Sequence, residues 1–230
     1  MMAGREKQAI VLLSGGLDSL VALGYSIENG IDVKLALTFD YGQKAAKKEL
    51  EVSKKICEYY GIKHKIIKLD WLKEITKTSL VSNQEIPTTE LNTSKSASSV
   101  WVPNRNALFL NIAACFCDSF EYKSIIFGAN SDEAETFSDN TEIFRKRVFS
   151  LFECSTQVWP EILAPLINYG KNDIVKIAME YHVPLDLVWS CYDSGRVHCG
   201  KCESCLHLKK ALIANHCNKY LDILFKNNEN

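Results

Sequence analysis

The sequence has no apolar run approaching the roughly 18–20 residues that a membrane-spanning helix requires. It also lacks an excess of charge, since 27 Lys and Arg face 28 Asp and Glu, a formal net charge of −1. That balance argues against a large electrostatic footprint on nucleic acid and leaves room only for a local patch. Disordered, collagen-like and low-complexity classes are excluded by an apolar fraction of 47%. The N-terminal Met1-Met-Ala-Gly-Arg-Glu-Lys-Gln8 has no signal-peptide anatomy, so a cytoplasmic protein is expected. At 230 residues the chain buries a substantial core without staples. In a reducing compartment disulfides are rare, which makes the nine cysteines the residues to explain.

Hydrophobic patterning predicts strands over 9–13, 33–39, 65–69, 124–128 and 162–166. Helices are predicted over 18–29, 43–60, 104–119, 141–153, 171–182 and 203–214. The helix over 104–119 is apolar nearly all round and is expected to be buried. Segment 76–99 breaks the pattern, with eleven Ser or Thr in 24 residues, and reads as a lid or a disordered surface excursion. Strands alternating with helices imply an α/β fold, a Rossmann-like, mainly parallel sheet with helices on both faces. Ligands in such sheets bind at the carboxyl ends of the strands. The chain divides into an α/β domain over 1–186 and a C-terminal cysteine-bearing segment over 187–230.

Ser14-Gly-Gly-Leu-Asp-Ser19 lies between the first strand and the first helix. Two glycines allow a tight turn that brings backbone N–H groups close to a ligand. The following helix N-terminus adds unpaired donors and a partial positive charge. A phosphate or pyrophosphate fits there, with Asp18 acting as helix cap or facing a metal ion. The plainer reading is a capped strand-to-helix turn. The hexapeptide is neither a Walker A nor a dinucleotide motif. It resembles the loop of the PP-loop ATPases, which cleave ATP between the α and β phosphates and transfer AMP to a substrate oxygen.

Cys191, Cys199, Cys202 and Cys205 fall within fifteen residues, and Gly200 permits a knuckle turn. Four thiolates at this spacing suit a closed tetrahedral Zn²⁺ site. An iron–sulfur cluster, redox-active thiols and unrelated buried cysteines are the alternatives. His198 and His207 are expected to be solvated surface histidines rather than competing ligands. Cys57, Cys115, Cys117, Cys154 and Cys217 read as small buried hydrophobes.

Further motifs are Phe39-Asp-Tyr-Gly-Gln43, Val102-Pro-Asn-Arg-Asn106, Gly128-Ala-Asn130, Ala164-Pro-Leu166, Val183-Pro184 and Ser190-Cys-Tyr192, followed by Cys199-Gly-Lys-Cys-Glu-Ser-Cys205. With Leu12-Leu-Ser-Gly-Gly-Leu-Asp-Ser19 they resemble, in order and over nearly the whole chain, the 7-cyano-7-deazaguanine (preQ0) synthase family of queuosine biosynthesis. The sequence departs from the family at Lys44, Ala45, Ser138, Gly170 and Leu208.

The resemblance implies an ATP-dependent C–N ligase that converts 7-carboxy-7-deazaguanine and ammonia to the nitrile. It implies a homodimer with one structural Zn²⁺ per chain and Mg²⁺ with ATP, and no direct nucleic-acid or membrane partner. ATP is then expected on Leu12, Leu13, Ser14, Gly15, Gly16, Leu17, Asp18, Ser19, Leu20, Val21 and Ala22, with Phe39 and Asp40 bordering the adenine or ribose. Asp18 helps to position Mg²⁺, and Lys171 reaches the α-phosphate or is merely a solvated lysine. Arg105 meets the substrate carboxylate or braces the helix after Pro103. Asn130, Asp132, Glu133 and Asp139 bind the guanine-like edge, act as a base for ammonium, or only solvate their loop. Two alternatives are another PP-loop adenylating enzyme, such as a tRNA thiolation enzyme, and a catalytically silent nucleotide- and zinc-binding interaction protein.

Overall fold

Short apolar runs build the centre of the molecule. The computed structural model describes residues 8–82, 84–85 and 99–226. Strands β1 (Gln8–Leu12), β2 (Asp32–Asp40), β3 (Lys63–Lys68), β4 (Ser124–Ile126) and β5 (Glu161–Leu163) form one sheet in the order β3-β2-β1-β4-β5. All neighbours are parallel, so each connection is a crossover. The helices are α1 (Leu17–Glu28), α2 (Ala46–Tyr60), α3 (Asp70–Ile75), α4 (Arg105–Phe120), α5 (Ser131–Ala134), α6 (Glu142–Ser155), α7 (Lys171–Glu180), α8 (Glu203–Ala214) and α9 (Asn218–Phe225). Single 3₁₀ turns lie at Ser138–Asn140 and Leu185–Leu187.

Strand alternation divides the core in two. Ala9, Val11 and Leu13 face α1, α2, α7, α8 and α9, whereas Ile10, Leu12 and Leu37 face α3, α4 and α6. The register of β1 on β2 slips between Ala9↔Val33 and Ile10↔Leu35. The extra residue, Lys34, switches parity, so Val33 and Ala36 share one face while Leu35 and Leu37 take the other. The C-terminal segment joins the first of these cores through Leu208, Ala211, Leu212 and Leu224.

Several element bounds differ from expectation for local reasons. The helix expected from 43 begins at Ala46, because the Gln43 side chain ties off a turn. Its Oε1 accepts from Tyr41 N–H at 3.0 Å and its Nε2 donates to the Phe39 carbonyl at 3.0 Å. The strand expected over 162–166 stops at Leu163, before Pro165. The helix over 104–119 is not buried all round. Asn106, Leu110, Ala113, Ala114 and Cys117 face the core, whereas Cys115 and Phe120 are exposed, with no element among the described residues covering that side. Cys154, on the outer side of α6, is exposed too, while Cys57, Cys117 and Cys217 are buried. Residues 83 and 86–98 of the polar segment lie outside the described residues, and the choice between lid and excursion with them. Its described ends meet: Ser79 N–H donates to the Ser99 carbonyl at 2.8 Å, and Leu80 and Val100 are buried.

Candidate active site and thiol cluster

β1 is flanked by β2 on one side and β4 on the other, with their connections on opposite faces, so a crevice opens at its carboxyl end. A cleft of about 280 Å³ lies there. Gly15 takes φ +80°, a left-handed conformation that glycine adopts without penalty. Ser14 Oγ accepts from Gly16 N–H at 3.3 Å, and Ser14 N–H donates to Ser19 Oγ at 3.3 Å. The Leu13 carbonyl accepts from Thr38 Oγ1 at 2.7 Å and from Ser53 Oγ at 3.3 Å, which anchors the loop's first peptide. Gly128, at the end of β4, approaches so closely that a Cβ there would lie 2.9 Å from Ser19 N.

Asp18 does not cap α1; the cap position is Gly16. The Asp18 carboxylate instead meets Lys171 Nζ at 2.6 Å, and Glu133 Oε1 lies 3.3 Å from the same ammonium. Lys171 is therefore not a solvated lysine, its side chain being only 13% exposed. Burial disfavours its charge, but Asp18 and Glu133 outweigh that and hold its pKa above the usual lysine value. Burial pushes the Asp18 carboxyl up from its ordinary range, with Lys171 opposing. Asp18 Oδ1 and Asn130 Nδ2 are buried with no hydrogen-bond partner among the described residues. Both residues line the cleft, and orphaned groups in such a place point to a ligand.

Arg105 lines the same cleft and donates from Nη1 to the Tyr41 hydroxyl at 3.4 Å and from Nε to Asn106 Oδ1 at 3.3 Å. Asp139 lines the same cleft, and burial raises its pKa against the pull of Arg105. The structure thus brings Leu12, Leu13, Ser14, Gly16, Leu17, Asp18, Ser19, Phe39, Arg105, Asn130, Glu133, Asp139 and Lys171 together around one cavity. Gly15, Leu20, Val21, Ala22, Asp40 and Asp132 do not line it. Leu20, Val21 and Ala22 pack in the core under the loop. Asp40 accepts from Gly42 N–H at 3.1 Å. Asp132 accepts from Lys171 N–H at 2.8 Å and so caps α7. A Cβ at Gly170 would lie 2.7 Å from Asp132 Oδ1, which accounts physically for glycine at that departure.

Sequence reasoning missed Tyr41, Glu49, Phe109, Trp189, Ser190 and Tyr192 as lining residues. Glu49 accepts from Gln43 Nε2 at 2.7 Å, and burial raises its pKa despite that bond. Phe109 stacks on Phe39 at 3.8 Å between ring centroids. Ser190 and Tyr192 stand in the Ser190-Cys-Tyr192 motif, where only Cys191 has a chemistry that the sequence itself makes plain.

The sulfurs of Cys191, Cys199, Cys202 and Cys205 all lie within 4.8 Å of one another. Backbone N–H groups point at them, from Cys199 and Asp193 to Cys191 Sγ at 3.4 and 3.5 Å and from Cys202 to Cys199 Sγ at 3.3 Å. Hydrogen bonds with Cys191 and Cys205 draw the Cys202 thiol below its ordinary value, while Cys191 and Cys202 push Cys205 up. This donor set fits a metal ion. His198 is not a solvated surface residue: it is buried between Trp189 and Phe225, with ring centroids 4.6 and 5.0 Å away. Its Nε2 accepts from Ser190 N–H at 3.0 Å, its Nδ1 lies 3.1 Å from the Leu224 carbonyl, and burial lowers its pKa.

A parallel five-stranded sheet with a Ser-Gly-Gly-Leu-Asp-Ser loop at its switch point defines a nucleotide-binding α/β protein of the PP-loop type. The chain matches the family described as Queuosine biosynthesis protein QueC over residues 8–216 and belongs to it. The 7-cyano-7-deazaguanine synthase of Carboxydothermus hydrogenoformans is 50% identical over 215 residues, covering 91% of this chain and 100% of that protein. That of Methanosarcina barkeri is 47% identical over 215 residues, covering 89% and 93%. Among solved structures, the U34-tRNA thiolase NcsA from Methanococcus maripaludis superposes with a TM-score of 0.49 at 18% identity, covering 94% of this chain and 69% of that one. No helix among the described residues is long and apolar enough to cross a membrane.

The close approach of β4 to the loop gives a direct test. Gly128→Ala is expected to displace the Ser19 amide and weaken ATP binding at least about tenfold by titration calorimetry, with the far-UV circular dichroism unchanged. Unaltered affinity would show that the loop tolerates the shift.

Proposed function

We propose that the chain is an ATP-dependent synthase that converts 7-carboxy-7-deazaguanine and ammonia to 7-cyano-7-deazaguanine. The observation that carries this reading is a single cleft lined by the phosphate loop, by the Lys171 ammonium and by the half-buried Arg105. A carboxylate resists attack because its charge repels nucleophiles and oxide is a poor leaving group. Its oxygen attacks the α-phosphorus of ATP, pyrophosphate leaves, and an acyl adenylate forms. Ammonia then displaces AMP and gives the primary amide. The amide oxygen attacks a second ATP, pyrophosphate leaves again, and loss of AMP and both N–H protons gives the nitrile.

Those backbone amides between Ser14 and Ser19 that carry no partner within the loop hold the pyrophosphate and stabilise its charge as it leaves, while the Ser14, Gly16 and Leu17 amides fix the loop through Ser19, Ser14 and Ser190. Lys171 faces the α-phosphate. Arg105 spends two donors on Tyr41 and Asn106 and keeps the rest of its fork for the substrate carboxylate. Asn130, Glu133 and Asp139 face the deazaguanine edge or ammonia. Asp18 Oδ1, an orphaned oxygen, is the donor type that Mg²⁺ takes. When bound, the ion neutralises phosphate charge. The four cysteines hold Zn²⁺. A tetrahedral ion with bonds of about 2.3 Å sets its sulfurs about 3.8 Å apart, and an iron–sulfur cube holds them much further apart than the 4.8 Å limit found here. By the family likeness the chain works as a cytoplasmic homodimer.

Purified protein given 7-carboxy-7-deazaguanine, ATP, Mg²⁺ and ammonium is expected to yield about two AMP per nitrile, as two successive adenylations require. No nitrile and no substrate-dependent AMP would refute the reading. Elemental analysis of the native protein is expected to find about one zinc per chain. Iron with acid-labile sulfide would reassign the cysteines.

A further inference from the structure

The Ser190-Cys-Tyr motif does more than supply a metal ligand. Trp189 N–H donates to the Gly15 carbonyl at 2.8 Å, so the chain just before Cys191 is hydrogen-bonded to the phosphate loop. One residue on, Ser190 Oγ accepts from Leu17 N–H at 3.3 Å. Leu17 N–H belongs to the first turn of α1, whose donors no helical carbonyl takes and where an anion would sit. Ser190 lines the cleft. A hydroxyl has one proton to give besides the pairs it accepts with, and no acceptor holds the Ser190 proton among the described residues. Ser190 is itself fixed from behind: its N–H donates to His198 Nε2, whose ring is wedged between Trp189 and Phe225 and faces the Leu224 carbonyl. Cys191 and Cys199, next to Ser190 and His198, belong to the thiol cluster.

We propose that Ser190 is a nucleotide-binding residue delivered by the cysteine segment. Its hydroxyl accepts from Leu17 N–H and donates its proton to a phosphate oxygen of ATP. His198 is a positioning residue that holds the Ser190 backbone in register with the loop. The thiol cluster is therefore part of the nucleotide site's construction and does more than hold the tail. The proposal rests on ATP occupying the Ser14–Ser19 loop.

The test uses full-length protein with its native metal and compares wild type, Ser190→Ala and Ser190→Thr. ATP affinity is measured by calorimetry, and KM is measured for ATP and for the carboxylate substrate. Hydrogen bonds to a charged partner are strong, so Ser190→Ala is expected to weaken ATP about tenfold or more. KM for the carboxylate and the metal content should stay within about twofold, and Ser190→Thr should restore ATP affinity. A merely structural residue would move both KM values together. Equal ATP affinity in wild type and Ser190→Ala, or parallel losses of ATP and carboxylate affinity, would overturn the proposal. A wild type that binds no ATP would instead bring down the proposed function itself. As a second measurement, His198→Leu is expected to speed amide exchange at Leu17 relative to wild type. Unchanged exchange there would remove His198 from the account.

Discussion

A lysine whose side chain is only 13% exposed needs carboxylates beside its ammonium, and much of the site follows from how Lys171 meets that demand. Its partners come from distant parts of the chain, Asp18 at the start of α1 and Glu133 on α5, while Asp132 caps its backbone N–H. Three segments are thereby gathered at the carboxyl ends of β1 and β4. At an effective dielectric near 20 each contact is worth about 4 kcal/mol of attraction, and desolvating the three groups offsets much of it. The triad therefore fixes position more than it adds stability. Two carboxylates against one ammonium also leave a formal negative charge and an orphaned Asp18 oxygen, the imbalance that a nucleotide with its cation would answer.

The loop itself is braced from each direction. Thr38 and Ser53 hold the Leu13 carbonyl from below, Gly128 presses on Ser19 from β4, and Trp189 and Ser190 bond Gly15 and Leu17 from the cysteine segment. Rigid placement of donors is what electrostatic stabilisation of a leaving pyrophosphate requires. It also explains why the C-terminal segment shares a core with the sheet instead of standing apart.

Short apolar runs made β1, β2 and β4 legible, because parallel strands buried on both faces contain little else. The phosphate loop and the four cysteines were legible because their chemistry is local to a few residues. What was hidden depends on remote partners. His198 is buried because Trp189 packs on one side of its ring and Leu224 and Phe225, some 26 residues on, fold back over the other. Glu49 looks like its neighbour Glu51, and only the phase of α2 against the cleft tells them apart: Glu51 pairs with Lys48 and Lys55 on the outer face. The short helices α3 and α9 carry too few turns for a period to show. The outward side of α4 reads as core by composition, yet no element among the described residues covers it.

The central claim is that one adenylating cleft activates the same substrate carbon twice, each time through an oxygen of the original carboxylate. Labelling both carboxylate oxygens of 7-carboxy-7-deazaguanine with ¹⁸O and weighing the AMP by mass spectrometry tests this most directly. Each of the two AMP molecules should carry one ¹⁸O, and pyrophosphate none. Label in pyrophosphate, or AMP without label, would contradict it.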